Sequence, residues 1–322
     1  GSICLPMMVK ESSDGTLEFD YQLLRSTTAQ MTRNLNKIID ITYYPVSETK
    51  VGNLRHRPIG IGMQGLADVF LMFRIPYDSQ QAIELNKKII ETMYYSALEE
   101  SCNLAQLDGS YSTFQGSDLQ KGIFHFERYQ ERTGETIELS GMWDFESLRE
   151  RMKLGVRNSL LIALMPTAST ASIMGNTESF EPITANIYSR KTLAGDFILI
   201  NKFLIKDLIK LGVWSESLKN SIIENNGSIQ HIQGLPEEIR NLYKTTWELK
   251  QRVLIDLSAD RTPFVCQSQS LNLYFKTPSF LIIHSALMYG WKRGLKTLIY
   301  YTRSLSVGEA TKFTVSCESC SG

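Results

Sequence analysis

The longest regular pattern in the sequence is a stripe of apolar residues, spaced three or four apart, between Ala82 and Cys102. This spacing predicts a helix with one buried face. Asp78-Ser79 precedes the stripe and predicts the N-cap, and Gly109 predicts the end of the helix. Cys102 lies on the stripe itself, so we interpret it as a buried core thiol. Shorter helices are predicted over residues 20–41, 65–73, 146–153, 199–211, 215–224, 236–258 and 279–290.

Short apolar runs between these helices predict strands. The most apolar run, Asn158 to Met165, predicts a strand that is buried on both faces. Because strands alternate with helices, the pattern favours an α/β fold. Other strand-like runs cover residues 3–9, 58–62 and 295–303, whereas 43–57 predicts a loop, 110–142 an irregular surface insertion, 262–275 irregular or partly extended chain, and 304–322 a flexible tail.

Composition narrows the class of protein. The 322 residues are 43% apolar and 21% charged, which is typical of a soluble globular chain. Lys plus Arg equals Asp plus Glu at 34 each, which disfavours a generally basic nucleic-acid-binding protein. No apolar run reaches the roughly 18 residues of a membrane span. The five cysteines are an odd number spread along the chain, which favours a reducing, intracellular compartment, and the four histidines show no metal-ligand spacing.

The segment Gly60-Ile61-Gly62-Met63-Gln64-Gly65 matches the dinucleotide-binding pattern G-x-G-x-x-G. In a dinucleotide site, a second strand about twenty residues further on ends in an acidic residue that binds the ribose. Here that region is the predicted long helix. We therefore interpret the glycines as a tight strand-to-helix turn, and an NAD-dependent dehydrogenase remains only an alternative.

Four hydroxyl residues crowd into six positions directly after the most apolar strand: Thr167, Ser169, Thr170 and Ser172. A simple N-cap needs one hydroxyl, whereas a helix N-terminus with several can bind phosphate oxygens through its free N–H groups. The pattern favours a phosphate site over a plain cap. The polar turn over residues 175–182 can line the same site.

Two further motifs lie near the end of the chain. Tyr300 and Tyr301 are adjacent in an apolar run, which is usual for packing residues unless a reaction uses the phenol or its radical. Cys317 and Cys320 form a C-x-x-C pair two residues from the end. Two thiolates are too few for a closed zinc site, but a mobile dithiol can carry electrons.

Taken in order, these motifs and their flanking segments resemble the large, catalytic subunit of class I ribonucleotide reductase, or ribonucleoside-diphosphate reductase, in its eukaryotic and viral form. Each segment is weak by itself, whereas the complete order is highly specific. The matching segments are 33–40, 55–62, 155–163, 165–171, 267–272, 290–292, 294–297, Tyr300-Tyr301 and Cys317-x-x-Cys320.

The resemblance implies that residues 1–303 form the later strands of a ten-stranded α/β barrel and that 304–322 form a redox tail. The implied activity is the radical reduction of ribonucleoside diphosphates to 2′-deoxyribonucleoside diphosphates, for DNA replication, in the cytoplasm. The residues that match the substrate-diphosphate site are Pro166, Thr167, Ala168, Ser169 and Thr170.

The resemblance also implies partners. A radical would arrive from the small, metal-containing subunit through Tyr301 and then Tyr300. Cys317 and Cys320 would re-reduce the active site and would themselves be reduced by thioredoxin or glutaredoxin. A second large subunit completes a homodimer, ATP and deoxynucleotide effectors bind upstream regions, and no cofactor is bound by this chain.

The resemblance covers the C-terminal part of the family's subunit. The radical cysteine and the active-site cysteine pair lie upstream in members, so we expect the 322 residues alone to be inactive. Cys4 stands where members often have Ala, and we interpret it as structural. Cys266 and Phe145 stand where an acid and a Trp are common, and we interpret them as local packing differences. A non-catalytic viral paralogue that acts as an interaction protein is a second alternative, which the retained tyrosine and cysteine pairs disfavour.

Overall fold

The computed structural model describes residues 1–192 and 195–305. Its helices are α1 (Tyr21–Ile41), α2 (Ser47–His56), α3 (Leu66–Met72), α4 (Gln80–Asp108), α5 (His125–Thr133), α6 (Phe145–Leu154), α7 (Ala168–Met174), α8 (Lys202–Lys210), α9 (Glu216–Glu224), α10 (Glu237–Leu242), α11 (Gln251–Arg261) and α12 (Phe280–Lys292). Its strands are β1 (Ser2–Cys4), β2 (Val9–Glu11), β3 (Leu17–Phe19), β4 (Gly62–Gln64), β5 (Ile187–Thr192), β6 (Gly195–Ile200), β7 (Asn272–Phe275) and β8 (Tyr301–Ser304).

Five extended segments lie side by side in the same order as in the sequence. Each segment is parallel to its neighbours. β1 pairs with β4, and Ile61 next to β4 bridges to Ile162. The same segment continues to Leu164, which bridges to Gln269 just before β7. β7 then pairs with β8. Helices connect the neighbours, so these five segments form the wall of an α/β barrel, as the sequence predicts.

The wall is covered by α1 and α4, the two longest helices. The Ser79 side chain accepts from the N–H of Ala82 at 3.2 Å, which confirms the predicted N-cap of α4. Cys102 is fully buried, which confirms that it is a core thiol. Between the two helices, the guanidinium of Arg25 donates to both carboxylate oxygens of Glu99.

A second apolar cluster lies around α8, α9, α10 and β5. β5 pairs with β6 in an antiparallel hairpin before α8, and the sequence did not predict this hairpin. The buried side chains of this cluster include Ile187, Leu204, Leu208, Ile222, Ile239 and Tyr243.

The glycine motif forms the predicted strand-to-helix turn. Gly65 has φ of 79° and precedes α3, a conformation in which side chains are strained. A Cβ on Gly65 would lie 2.6 Å from Cδ of Pro6, and one on Gly62 would lie 2.6 Å from Sδ of Met165. The glycines therefore allow close packing of neighbouring segments of the wall.

Several predicted boundaries were wrong. The expected loop over 43–57 contains α2, and the expected insertion over 110–142 contains α5 together with buried aromatic rings such as Phe124 and Phe126. The predicted helix 236–258 is two helices, α10 and α11. The predicted strand over 3–9 is β1 followed by a 3-10 turn, Leu5–Met8, and regular strand in the run 295–303 begins only at Tyr301.

Candidate active site

The hydroxyl-rich turn begins α7, directly after the central segment of the wall. Thr167 is the N-cap residue, and the first intrahelical bond runs from the N–H of Ala171 to the carbonyl oxygen of Thr167. The amides of Ala168, Ser169 and Thr170 therefore have no partner within the helix. Pro166, Ser169 and Thr170 are exposed, so this helix start is open to a ligand.

The hydroxyls of the turn have different roles. Thr167 is buried, and its Oγ1 accepts from the N–H of Ser179 at 2.7 Å. The hydroxyl of Thr170 donates to the carbonyl oxygen of Thr167 at 3.2 Å. Thr167 thus anchors the turn to its neighbour, whereas the exposed Ser169 and the amides face outward.

The polar turn over 175–182 lies against this helix start, as the sequence predicts. The N–H and the hydroxyl of Thr177 both donate to Asp68 in α3, each at 2.7 Å. The carbonyl oxygen of Thr177 accepts from the N–H of Gly65 at 2.9 Å. Asn176 donates to the sulfur of Cys4 at 3.0 Å, which gives Cys4 a packing role at the end of β1.

Glu181 lies in the turn that the sequence predicts to line the site, although the sequence did not assign this residue a role of its own. Burial raises the pKa of its carboxyl to about 7, although the hydroxyl of Tyr274 partly opposes the shift. That hydroxyl donates to Oε2 of Glu181 at 2.9 Å, while Oε1 is buried without a hydrogen-bond partner. The guanidinium of Arg261 lies 4.1 Å from the centre of the neighbouring Phe180 ring. Buried polar groups of Tyr274 and Arg261 therefore hold the end of the turn in place.

Tyr301 is the first residue of β8, and Tyr300 directly precedes the strand. Their ring centroids are 4.3 Å apart with an interplanar angle of 67°, so the two rings are in direct contact. The N–H of Tyr300 donates to the carbonyl oxygen of Leu271 at 2.7 Å. The guanidinium carbon of Arg303 lies 4.7 Å from the centre of the Tyr301 ring. The exposed fractions are 47% for Tyr300 and 36% for Tyr301, so an external partner can reach the pair.

The strand register places the turn and the tyrosines at the same level along the wall. Leu164 is level with Gln269, and Asn272, three residues further along, is level with Tyr301. Thr167 likewise follows Leu164 by three residues. Thr167 therefore follows the carboxyl end of its segment, at the level along the wall at which β8 begins with Tyr301.

An exposed apolar surface on α12 was also not identified from the sequence. Phe280 is 81% exposed and Leu281 is 73% exposed, and Trp291 is exposed at the other end of the helix. The helix lies in the connection between β7 and β8, and large exposed apolar patches commonly mark interaction sites.

The predicted pair Cys317 and Cys320 lies outside the described residues. Within 1–192 and 195–305, no group of three or more His, Cys, Asp or Glu side chains is placed to hold a metal ion. No helix in this described part is long and apolar enough to cross a membrane.

The fold defines a parallel α/β barrel protein, and its candidate site comprises the helix start after the central segment of the wall and the tyrosine pair where β8 begins. The family model described as "Ribonucleotide reductase, barrel domain" matches residues 1–301. The chain belongs to the ribonucleotide reductase family.

Relatives of the chain are large reductase subunits. It is 52% identical over 315 residues to the ribonucleoside-diphosphate reductase large chain of Cryptosporidium parvum, covering 98% of this chain and 38% of that protein. It is 47% identical over 319 residues to large chain 2 of Saccharomyces cerevisiae, covering 98% and 36%. A solved structure, the class Id ribonucleotide reductase alpha subunit of Actinobacillus ureae, matches with a TM-score of 0.67 and 25% identity, covering 88% of this chain and 46% of that one. The chain therefore spans less than half the length of these relatives.

Proposed function

We propose that these residues serve the radical reduction of ribonucleoside diphosphates to 2′-deoxyribonucleoside diphosphates, within a large reductase subunit. The observation that carries the proposal is the direct contact of the Tyr300 and Tyr301 rings, 4.3 Å apart at the edge of the barrel wall. Two phenols in contact can pass an electron and a proton from one to the other. No observation favours the nicotinamide-dependent alternative.

The start of α7 is the proposed site of the substrate diphosphate. The free amides of Ala168, Ser169 and Thr170 and the positive end of the helix suit phosphate oxygens. The hydroxyl of Ser169 adds a further donor, and Pro166 begins the turn. Thr167 acts in this proposal by holding the turn in place through Ser179.

The small, metal-containing subunit is the proposed source of the radical. It must approach Tyr301, and the exposed apolar side chains of α12 lie on the connection that leads into β8. Burial of Phe280, Leu281 and Trp291 under that subunit would supply affinity beside the point where the radical enters.

We further propose thioredoxin or glutaredoxin as the external reductant of the Cys317 and Cys320 pair. The other proposed partners are a second large subunit, which completes a dimer, and ATP and deoxynucleotides as effectors. The proposed compartment is the cytoplasm.

The test replaces each tyrosine by phenylalanine in the full-length subunit, assayed with the small subunit. Phenylalanine keeps the ring and removes the O–H, so a packing role would cost at most about 0.5–1.5 kcal/mol. A radical-transfer role predicts that Tyr300→Phe and Tyr301→Phe each reduce turnover to background while the nucleotide still binds. The control is Tyr44→Phe, which removes a hydroxyl that donates to the carbonyl oxygen of Ile39 at 2.7 Å and should keep turnover. Near-normal deoxynucleotide production by either test variant would contradict the proposal.

A further inference from the structure

Arg303 lies two residues after Tyr301 in β8, so the two side chains share one face of the strand. Its guanidinium carbon lies 4.7 Å from the centre of the Tyr301 ring, within the range of a cation–π contact. Arg303 therefore places a positive charge against the Tyr301 ring.

The same charge acts on a second phenol. Arg303 is level with Tyr274 in the parallel pairing of β7 and β8. Burial raises the pKa of Tyr274 well above its usual value and the carboxyl of Glu181 adds to this, whereas the charge of Arg303 opposes it. The charge of Arg303 thus acts on Tyr274 as well as on Tyr301.

A cation over an aromatic face is attracted by the π electrons of the ring. When the ring loses an electron, that attraction weakens, so the oxidised ring is less stable beside Arg303 than it would be without the charge. The contact also restricts the orientation of the Tyr301 ring against Tyr300. Both effects concern the step between the two tyrosines.

We propose that Arg303 is a positioning residue for radical transfer from Tyr301 to Tyr300, holding the Tyr301 ring and disfavouring a radical that rests there. In this step the Tyr301 radical takes one electron and one proton from the Tyr300 phenol. Tyr301 returns to a phenol, Tyr300 becomes the radical, and no other reactant is needed. The inference rests on the proposed function of the tyrosine pair.

The experiment uses the full-length large subunit with its small subunit and compares Arg303→Gln with Arg303→Lys. Removal of the charge should lower kcat about tenfold with the KM for the nucleotide unchanged, and lysine should restore most of the lost rate. Rapid freeze-quench electron paramagnetic resonance should show a larger tyrosyl signal in Arg303→Gln, and this increase should disappear when Tyr301→Phe is added.

The matched control is Arg252→Gln. The Arg252 guanidinium lies 4.8 Å from the centre of the Tyr289 ring, the same kind of contact away from the tyrosine pair. This variant should keep wild-type kcat and the wild-type radical signal.

The outcomes separate the two proposals. If Tyr300→Phe and Tyr301→Phe keep turnover, the proposed function itself fails. If they lose turnover but Arg303→Gln keeps wild-type kcat, only the role of Arg303 is overturned. Equal losses in the glutamine and lysine variants, or a rise in KM that accounts for the loss, would also overturn it, because neither follows from a charge acting on Tyr301.

Discussion

Glu181 is a buried carboxyl whose ionisation should couple to folding. Burial raises its pKa from 4.5 to about 7 in the folded protein. Between these values the folded state holds a proton that the unfolded state has lost, so stability falls as pH rises from about 4.5 to about 7. Above that range both states are ionised and this contribution no longer changes. Over this pH range the free energy of unfolding should fall by an amount on the order of 3 kcal/mol.

Glu181→Gln should remove this pH dependence, because an amide does not titrate and can still accept from Tyr274. The free energy of unfolding of the variant, measured in denaturant from pH 5 to pH 8, should gain on the wild type as pH rises. The exposed Glu224→Gln, at the end of α9, should follow the wild-type curve. Parallel curves for Glu181→Gln and the wild type would show that the carboxyl is not buried as described.

The residues of the candidate site differ in how far the sequence reveals them. The helix start at Thr167 and the pair Tyr300-Tyr301 are contiguous motifs, so their residue types and spacing identify them directly. Glu181 and Tyr274 are 93 positions apart, and only the folded chain brings them together. No local pattern marks either residue, since each is an ordinary residue until its burial is known.

At the scale of elements, Gly65 allows the turn between β4 and α3 to pack closely against Pro6 in the 3-10 turn Leu5–Met8. Gly65→Ala should cost the roughly 1–2 kcal/mol of a left-handed residue and a further 1–3 kcal/mol for overpacking, because the new Cβ would lie 2.6 Å from Pro6. Gly134→Ala is the matched control: its φ is 74°, and nothing lies within 4 Å of its Cβ position. Thermal or denaturant unfolding of both variants gives the comparison. If both variants lose the same free energy of unfolding, Pro6 moves away from the new Cβ without an energetic cost, and the predicted overpacking is wrong.

The same scale shows which elements a sequence can predict. α4 has its own cap at Ser79 and a long apolar stripe, so its prediction was confirmed almost to the residue. α5 has only two buried residues, Phe126 and Tyr129, and the sequence on either side of it is mostly polar. Its position is therefore determined by contacts with residues that are distant in the sequence. The regular strands of the barrel wall are only three or four residues long, and their pairing joins segments far apart in the sequence. Such pairing leaves no periodic signal.

At the scale of the whole molecule, the predicted redox tail must connect the barrel edge with an external reductant. Cys317 lies 16 positions after Tyr301, and an extended chain covers about 3.3–3.6 Å per residue, which allows roughly 55 Å. In the full-length enzyme, Cys317→Ser with Cys320→Ser should abolish turnover supported by thioredoxin. Turnover supported by a small dithiol should remain, because such a reductant can enter the barrel itself. Equal rates with both reductants in the double variant would exclude the shuttle.

The parallel wall has a consequence for the tendency of the protein to aggregate in solution. In the described part of the chain, β1 pairs only with β4 and β8 only with β7, so within this part each strand has one side without a strand partner. Open strand edges of this kind recruit strands from other molecules. The 322-residue protein should therefore tend to aggregate at high concentration. Purification and crystallisation should succeed better when other strands pair with the free sides of β1 and β8.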